Sequence, residues 1–174
     1  GTLTPEAEAA LVGELIAVPG LMAEALKREV KVEQLAHSLG KARDVLYLGR
    51  GTSFPLAMEG ALKLKELSYI HAEGYATGEL KHGPIALIDE DMPVIVIAPH
   101  DGVYEKTVSN MQEVSARGGR LILLGDSRIE QDFAAESEAR IILPDMAPAF
   151  TAMVYAVPVQ MLSLIHISEP TRQA

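Results

Sequence analysis

Short apolar runs alternate with helix-like stretches over most of this 174-residue chain. Four of the runs have the length of a buried strand, at Val45–Leu48, Pro93–Ala98, Leu121–Leu124 and Ile141–Leu143. The stretch Ser68–Tyr75 is ambiguous and could supply one more strand. Because strands that alternate with helices form a parallel sheet covered on both faces, the pattern predicts a doubly wound, mostly parallel α/β sheet of about five strands flanked by helices.

Residues 1–40 are predicted to form a helical lead-in to this sheet. Thr4 and Pro5 are typical of a helix start, with a capping hydroxyl and a proline in the first turn. Apolar residues then recur at helical spacing, and we expect Pro19 and Gly20 to break the helix before a second one continues to Gly40. The lead-in is expected either to cover its own sheet or to form a surface between domains or subunits.

Three later stretches also carry a helical pattern, at Pro55–Tyr69, Glu105–Arg117 and Ala147–Met161. After Met161 the pattern changes, and residues 162–174 are not expected to continue the helix. That string resembles the translation of a sequencing-library adapter. We therefore expect a domain over residues 41–161 and a non-native tail over 162–174, and no function is inferred from the tail or its His166.

Composition narrows the possible functions. A net charge of −9 argues against nucleic acid or an anionic membrane as a partner. No signal pattern opens the chain, and no apolar run approaches the roughly 20 residues that span a bilayer, so a soluble, cytoplasmic protein is expected. The chain has no cysteine, and its histidines lack metal-ligand spacing, so we predict no metal and no cofactor.

One side of the predicted helix Pro55–Tyr69 carries charged residues. Glu59, Lys63 and Glu66 follow each other at helical spacing, opposite the small and apolar side chains. One interpretation is a solvated face with a weak ion pair. The other is a face covered by a second domain or subunit, where a desolvated carboxylate could act as an acid or base. A catalytic site on this helix would therefore lie at an interface.

Two further features lie where ligands bind in such sheets, beyond the carboxyl ends of the strands. The segment Gly49–Ser53 is either a phosphate cradle or a tight strand-to-helix turn, and the same cap can hold an anion in both cases. His82 lies in a predicted loop, where a histidine is either a surface residue or a group that transfers protons.

The stretch Glu59–Asp89, EGALKLKELSYIHAEGYATGELKHGPIALID, closely resembles the second sugar isomerase (SIS) domain of the glucosamine-6-phosphate synthase family. The likeness covers roughly Ala42–Met161. The resemblance implies the SIS fold and an enzyme that aminates fructose 6-phosphate with ammonia from glutamine and isomerises the product to glucosamine 6-phosphate. It also implies roles for three residues. Glu66 resembles the base that moves a proton between C1 and C2, Lys63 its neighbour near the substrate hydroxyls, and His82 the histidine that assists ring opening across a homodimer.

The family's glutaminase domain, its first SIS domain and its tail lysine have no counterpart in this chain. Because the family binds the sugar phosphate in the first SIS domain, the Gly49–Ser53 turn is expected to be structural. The fragment is expected to be inactive alone. Two alternatives remain open: a non-catalytic sugar-phosphate-binding SIS module of a regulator, and an SIS isomerase or deaminase that works without glutamine. The KLKE and GELKHGP motifs favour the enzyme.

Overall fold

The computed structural model describes residues 3–133 and 137–168, and of residues 166–168 only the backbone. Five strands form one sheet in the order β2-β1-β3-β4-β5, and every neighbouring pair is parallel. The strands are β1 (Asp44–Gly49), β2 (His71–Ala76), β3 (Pro93–Ala98), β4 (Arg120–Gly125) and β5 (Ala139–Ile142). The predicted doubly wound, parallel α/β architecture is confirmed.

Helices cover both faces of the sheet. They are α1 (Pro5–Leu26), α2 (Glu29–Leu39), α3 (Ser53–Ser68), α4 (Tyr104–Ala116), α5 (Ser127–Asp132) and α6 (Thr151–Ser168). Helices α1, α2, α3 and α6 contribute to the core on one face, and α4 and α5 to the core on the other. Successive residues of β1 alternate between the two cores, with Tyr47 on the first side and Leu48 on the second.

The predicted break at Pro19 is wrong, because α1 is one helix of 22 residues with Pro19 inside it. The chain changes helix only at Lys27 and Arg28. Proline removes one hydrogen bond, to the carbonyl four residues earlier, and that carbonyl belongs to the exposed Leu15. Since water reaches this part of α1, the missing bond costs little there. The predicted cap is confirmed, since the Thr4 hydroxyl accepts from the Ala7 N–H.

The ambiguous stretch Ser68–Tyr75 does supply a strand, since β2 (His71–Ala76) occupies most of it and forms one edge of the sheet. The expectation that the last helix ends near Met161 is wrong, since α6 runs to Ser168 and buries Leu162 and Ser163 completely. These two residues keep the helical spacing of Val159, which explains the continuation. Residues 169–174 and the side chain of His166 lie outside the described part, and the adapter-like origin of the tail stays a prediction.

Two segments are long and apolar enough to cross a membrane by length and composition, Pro5–Leu26 and Pro148–Ile165. This differs from the expectation that no run approaches that length. The second segment buries Val154, Tyr155 and Val159 in the core, as a core helix does. Helix α1 instead buries only Val18 and Ala25 among its residues, so it presents a long apolar surface.

Candidate active site

Helix α3 is pressed closely against the sheet. A Cβ added to Gly60 would lie 2.6 Å from the Tyr47 ring, and one added to Gly74 of β2 would lie 2.7 Å from the Met58 Cα. The absence of a side chain at both glycines therefore permits the close approach. The side of α3 that faces the sheet is the predicted one, and its buried residues are Ser53, Leu56, Ala57, Gly60, Ala61 and Leu64.

The outward side of α3 carries Lys63 and Glu66 as an ion pair. The Lys63 Nζ lies 2.9 Å from the Glu66 Oε2, and the two side chains are 36% and 49% exposed. The hydrogen bond from Lys63 to Glu66 raises the pKa of the ammonium, and the Glu66 charge adds to this. Lys63 is therefore a cation and a hydrogen-bond donor, and of these two side chains only the Glu66 carboxylate could accept a proton.

The Gly49–Ser53 segment is a tight turn between β1 and α3. A Cβ on Gly49 would lie 2.2 Å from the Ser53 carbonyl oxygen, and Gly51 has a φ of 56°, in the left-handed region. The N–H groups of Ser53 and Phe54 donate to the carbonyls of Arg50 and Gly51. Two donors that a phosphate cradle would use are thus occupied by the turn itself, which favours the structural interpretation.

His82 closes a 3₁₀ turn, Thr77–His82, directly after β2. The turn lies at the carboxyl edge of the sheet, because all five strands point the same way. The His82 Nδ1 lies 2.7 Å from the Glu79 Oε2, and the histidine side chain is 72% exposed. The imidazole is therefore open to a ligand or to another chain.

The structure does not bring the three candidate residues together within one chain. Helix α3 starts at the carboxyl end of β1 and returns to the amino end of β2, so Lys63 and Glu66 lie towards the amino edge of the sheet. Glu66 is 13 positions after Ser53, a rise of about 20 Å along the helix axis. His82 lies at the opposite edge.

Two contacts near His82 were missed in the sequence. Lys81 forms an ion pair with Glu113 of α4 at 2.9 Å, and the Arg50 guanidinium donates to the Asn110 side chain at 3.3 Å. Both link residues far apart in the sequence, so no local spacing could indicate them. Within the described ranges, no group of three or more histidine, aspartate or glutamate side chains could hold a metal ion.

Comparison with known proteins identifies relatives of high similarity. A sequence model of the SIS domain family matches residues 38–166. The chain is 66% identical over 163 residues to a glutamine--fructose-6-phosphate aminotransferase [isomerizing] of Bradyrhizobium diazoefficiens. The matched region covers 94% of this chain and 27% of that relative. The chain thus spans about a quarter of the length of the curated relatives that it matches.

Solved structures with a similar fold include one from the same kind of enzyme. The C-terminal domain of glucosamine-fructose-6-phosphate aminotransferase from Francisella tularensis matches with a TM-score of 0.90 at 40% identity, over 95% of this chain and 46% of that one. The sugar isomerase domain of an RpiR transcription factor from Sphaerobacter thermophilus has a TM-score of 0.71 at 18% identity over 92% of each chain, which shows a shared fold alone. Because the family model matches well over half of the sequence, including the whole sheet, the chain belongs to the SIS domain family.

Proposed function

We propose that this chain is the second SIS domain of a glutamine--fructose-6-phosphate aminotransferase (isomerizing), a soluble cytoplasmic enzyme that makes glucosamine 6-phosphate. The observation that carries the proposal is the 66% identity with such an enzyme over 94% of this chain. The rest of the polypeptide would supply the glutaminase domain and the first SIS domain. The fragment alone is then inactive, since it lacks both the ammonia source and the phosphate site.

Glu66 carries the isomerisation in this proposal. Ammonia condenses with the C2 carbonyl of open-chain fructose 6-phosphate, and water leaves. The Glu66 carboxylate removes a proton from C1 to give an enolamine and returns a proton to C2, while the O1 proton is lost and the nitrogen gains one. The product is glucosamine 6-phosphate with an aldehyde at C1. A positioned carboxylate contributes about 10²- to 10⁴-fold to such a proton transfer.

In this proposal Lys63 and His82 act on other parts of the sugar than the two carbons that Glu66 serves. The Lys63 ammonium is 2.9 Å from Glu66 and donates hydrogen bonds, so it suits the substrate hydroxyls next to the reacting carbons. His82 assists the opening of the furanose ring. Because His82 lies at the opposite edge of the sheet from Glu66, one chain does not complete the pocket. We propose that His82 reaches the pocket of the partner subunit in a homodimer.

The non-catalytic regulator remains the alternative with the same fold, which an RpiR-type neighbour illustrates. That neighbour is 18% identical, whereas the relatives of 58% to 66% identity bear the name of the aminotransferase. The difference in identity favours the enzyme.

Substitution of Glu66 in a full-length enzyme that contains this sequence tests the catalytic assignment. Glu66→Gln keeps the size of the side chain and removes the base, so synthesis of glucosamine 6-phosphate should fall at least about a hundredfold while glutamine hydrolysis persists. Glu33→Gln, on the exposed side of α2, is the matched control and should leave both rates unchanged. Undiminished synthesis in Glu66→Gln would remove this residue from its role.

A mixture of two inactive variants tests the arrangement across the dimer. When Glu66→Gln and His82→Gln subunits are mixed and allowed to exchange, the hybrid dimer contains one pocket with both native groups. Random pairing would then restore about a quarter of the native activity, since half of the dimers have one intact pocket of two. A mixture as inactive as its components would show that both residues act within one subunit.

A further inference from the structure

The turn that carries His82 is fixed to the domain along its length. Thr77 and Leu80 are completely buried, and the Thr77 hydroxyl donates to the Gly49 carbonyl oxygen over 3.4 Å. Lys81 is tied to Glu113 of α4 at 2.9 Å. The turn is thus anchored at its start, its middle and near its end, and this orients the side chains that point away from the core.

Glu79 and His82 lie on the same outward side of this turn. In a 3₁₀ helix the side chains at positions i and i+3 eclipse each other, and here they are joined by the 2.7 Å contact between the Glu79 Oε2 and the His82 Nδ1. An ionised carboxylate only accepts hydrogen bonds, so Nδ1 must carry the hydrogen. In the neutral imidazole, Nε2 is then the free acceptor.

We propose that Glu79 is a positioning residue, which holds His82 in the tautomer with hydrogen on Nδ1 and turns Nε2 towards the sugar. This rests on the proposed function, in which His82 opens the furanose ring. Nε2 takes the proton of the anomeric hydroxyl, and the carboxylate stabilises the imidazolium that forms. The same proton passes to the ring oxygen as its bond to C2 breaks, and the anomeric oxygen becomes the C2 carbonyl.

An exposed ion pair contributes only about 0–1 kcal/mol to stability. The proposal therefore concerns the state of the imidazole and not the strength of the fold. The side chain of Glu79 is 66% exposed, so its replacement removes the carboxylate without opening the core. This makes the residue suitable for a direct test.

The tautomer is measured first, on the chain itself. Two-dimensional ¹H–¹⁵N spectra of the imidazoles in mildly alkaline buffer, with His82 assigned from its loss in His82→Gln, should show hydrogen on Nδ1 in the native chain. Glu79→Ala should shift His82 towards hydrogen on Nε2, the form that a free histidine side chain prefers. Glu90→Ala, another exposed carboxylate, should leave the His82 signals unchanged. The same tautomer in native chain and Glu79→Ala would overturn the proposal.

The second measurement separates positioning from a structural role. In the full-length enzyme, Glu79→Ala should lower kcat with fructose 6-phosphate by about tenfold to a hundredfold. With 5-deoxyfructose 6-phosphate, which cannot form the furanose ring, the variant should match the native enzyme. An equal loss with both substrates would refute the proposal. If His82→Gln makes glucosamine 6-phosphate normally, the role of His82 in the proposed function fails, and the tautomer measurement still decides whether Glu79 orients the imidazole.

Discussion

Substitution of Gly60 by alanine probes how closely α3 approaches the sheet. The added Cβ would lie 2.6 Å and 2.9 Å from two ring carbons of Tyr47 and 3.0 Å from a methyl of Val159 on α6. Tyr47 is completely buried, so its ring has no free space to move into. The methyl group would therefore push apart β1, α3 and α6, the elements whose packing places Lys63 and Glu66.

Two effects of opposite sign decide the outcome. Alanine in place of glycine inside a helix stabilises by about 0.5–1 kcal/mol. An extra methyl in a well-packed core destabilises by about 1–3 kcal/mol. The steric cost exceeds the helix gain here because all three contacts are at or below 3.0 Å, so we expect a net loss of roughly 1–2 kcal/mol.

Urea unfolding followed by circular dichroism measures this difference. Gly13→Ala on α1 is the matched control, because no heavy atom lies within 4 Å of its added Cβ. Gly13→Ala should raise the free energy of unfolding by about 0.5–1 kcal/mol. For a chain of this length, each kcal/mol should change Tm by about 2–4 °C. If Gly60→Ala stabilises as much as Gly13→Ala, α3 does not lie against Tyr47 as closely as described.

Three more changes have defined outcomes. The Tyr47 hydroxyl is buried without a hydrogen-bond partner among the described residues, so Tyr47→Phe should stabilise by roughly 1 kcal/mol in urea unfolding, and a loss would indicate a hidden partner. The hydrogen bond from Arg120 holds the pKa of Glu138 below its usual range, so the stabilisation from this pair is complete above the ordinary pKa of a glutamate and is lost as the pH falls through the lowered folded-state pKa. The Tm difference between the native chain and Glu138→Gln should therefore shrink in acid, and a constant difference would contradict the assignment. Ile16 is 73% exposed on the apolar surface of α1, so Ile16→Lys should reduce self-association in light scattering, whereas equal association would place the contact elsewhere.

The central strands were predictable from their hydrophobicity, whereas β2, at one edge of the sheet, was not. β3 is the run PVIVIA, and all six of its residues are buried, which is typical of a strand covered on both faces. β2 is the run HAEGYA at the edge of the sheet, with one neighbouring strand and only Ala72 fully buried. Its composition reflects partial exposure, so hydrophobicity could not separate it from the end of α3. That end is also unmarked, since Tyr69 and not a glycine adopts the left-handed cap, with a φ of 60°.

The candidate site was predictable only in part, for a similar reason. Helical spacing alone places Lys63 and Glu66 on the outward side of α3, because that face depends on local geometry. Lys81 and Glu113 are 32 positions apart in the sequence, so their ion pair depends on how α4 packs beside the 3₁₀ turn. Local spacing also indicates the contact of Glu79 with His82, but only once the segment is known to be a 3₁₀ turn and not an open loop.

The direction of α3 explains why the proposed pocket needs two chains. In a parallel sheet each helix returns antiparallel to its strand, so a residue late in the helix lies near the amino edge, and a residue just after a strand lies at the carboxyl edge. Glu66 and His82 are such a pair, on either side of β2. The two residues lie at opposite edges of the sheet, and α3 alone rises about 20 Å between Ser53 at the carboxyl edge and Glu66, so side-chain rotation does not bring Glu66 and His82 together. Under the proposed function, each subunit therefore gives its α3 face to one pocket and its His82 turn to the other. A two-fold dimer is the smallest closed assembly in which both pockets are complete.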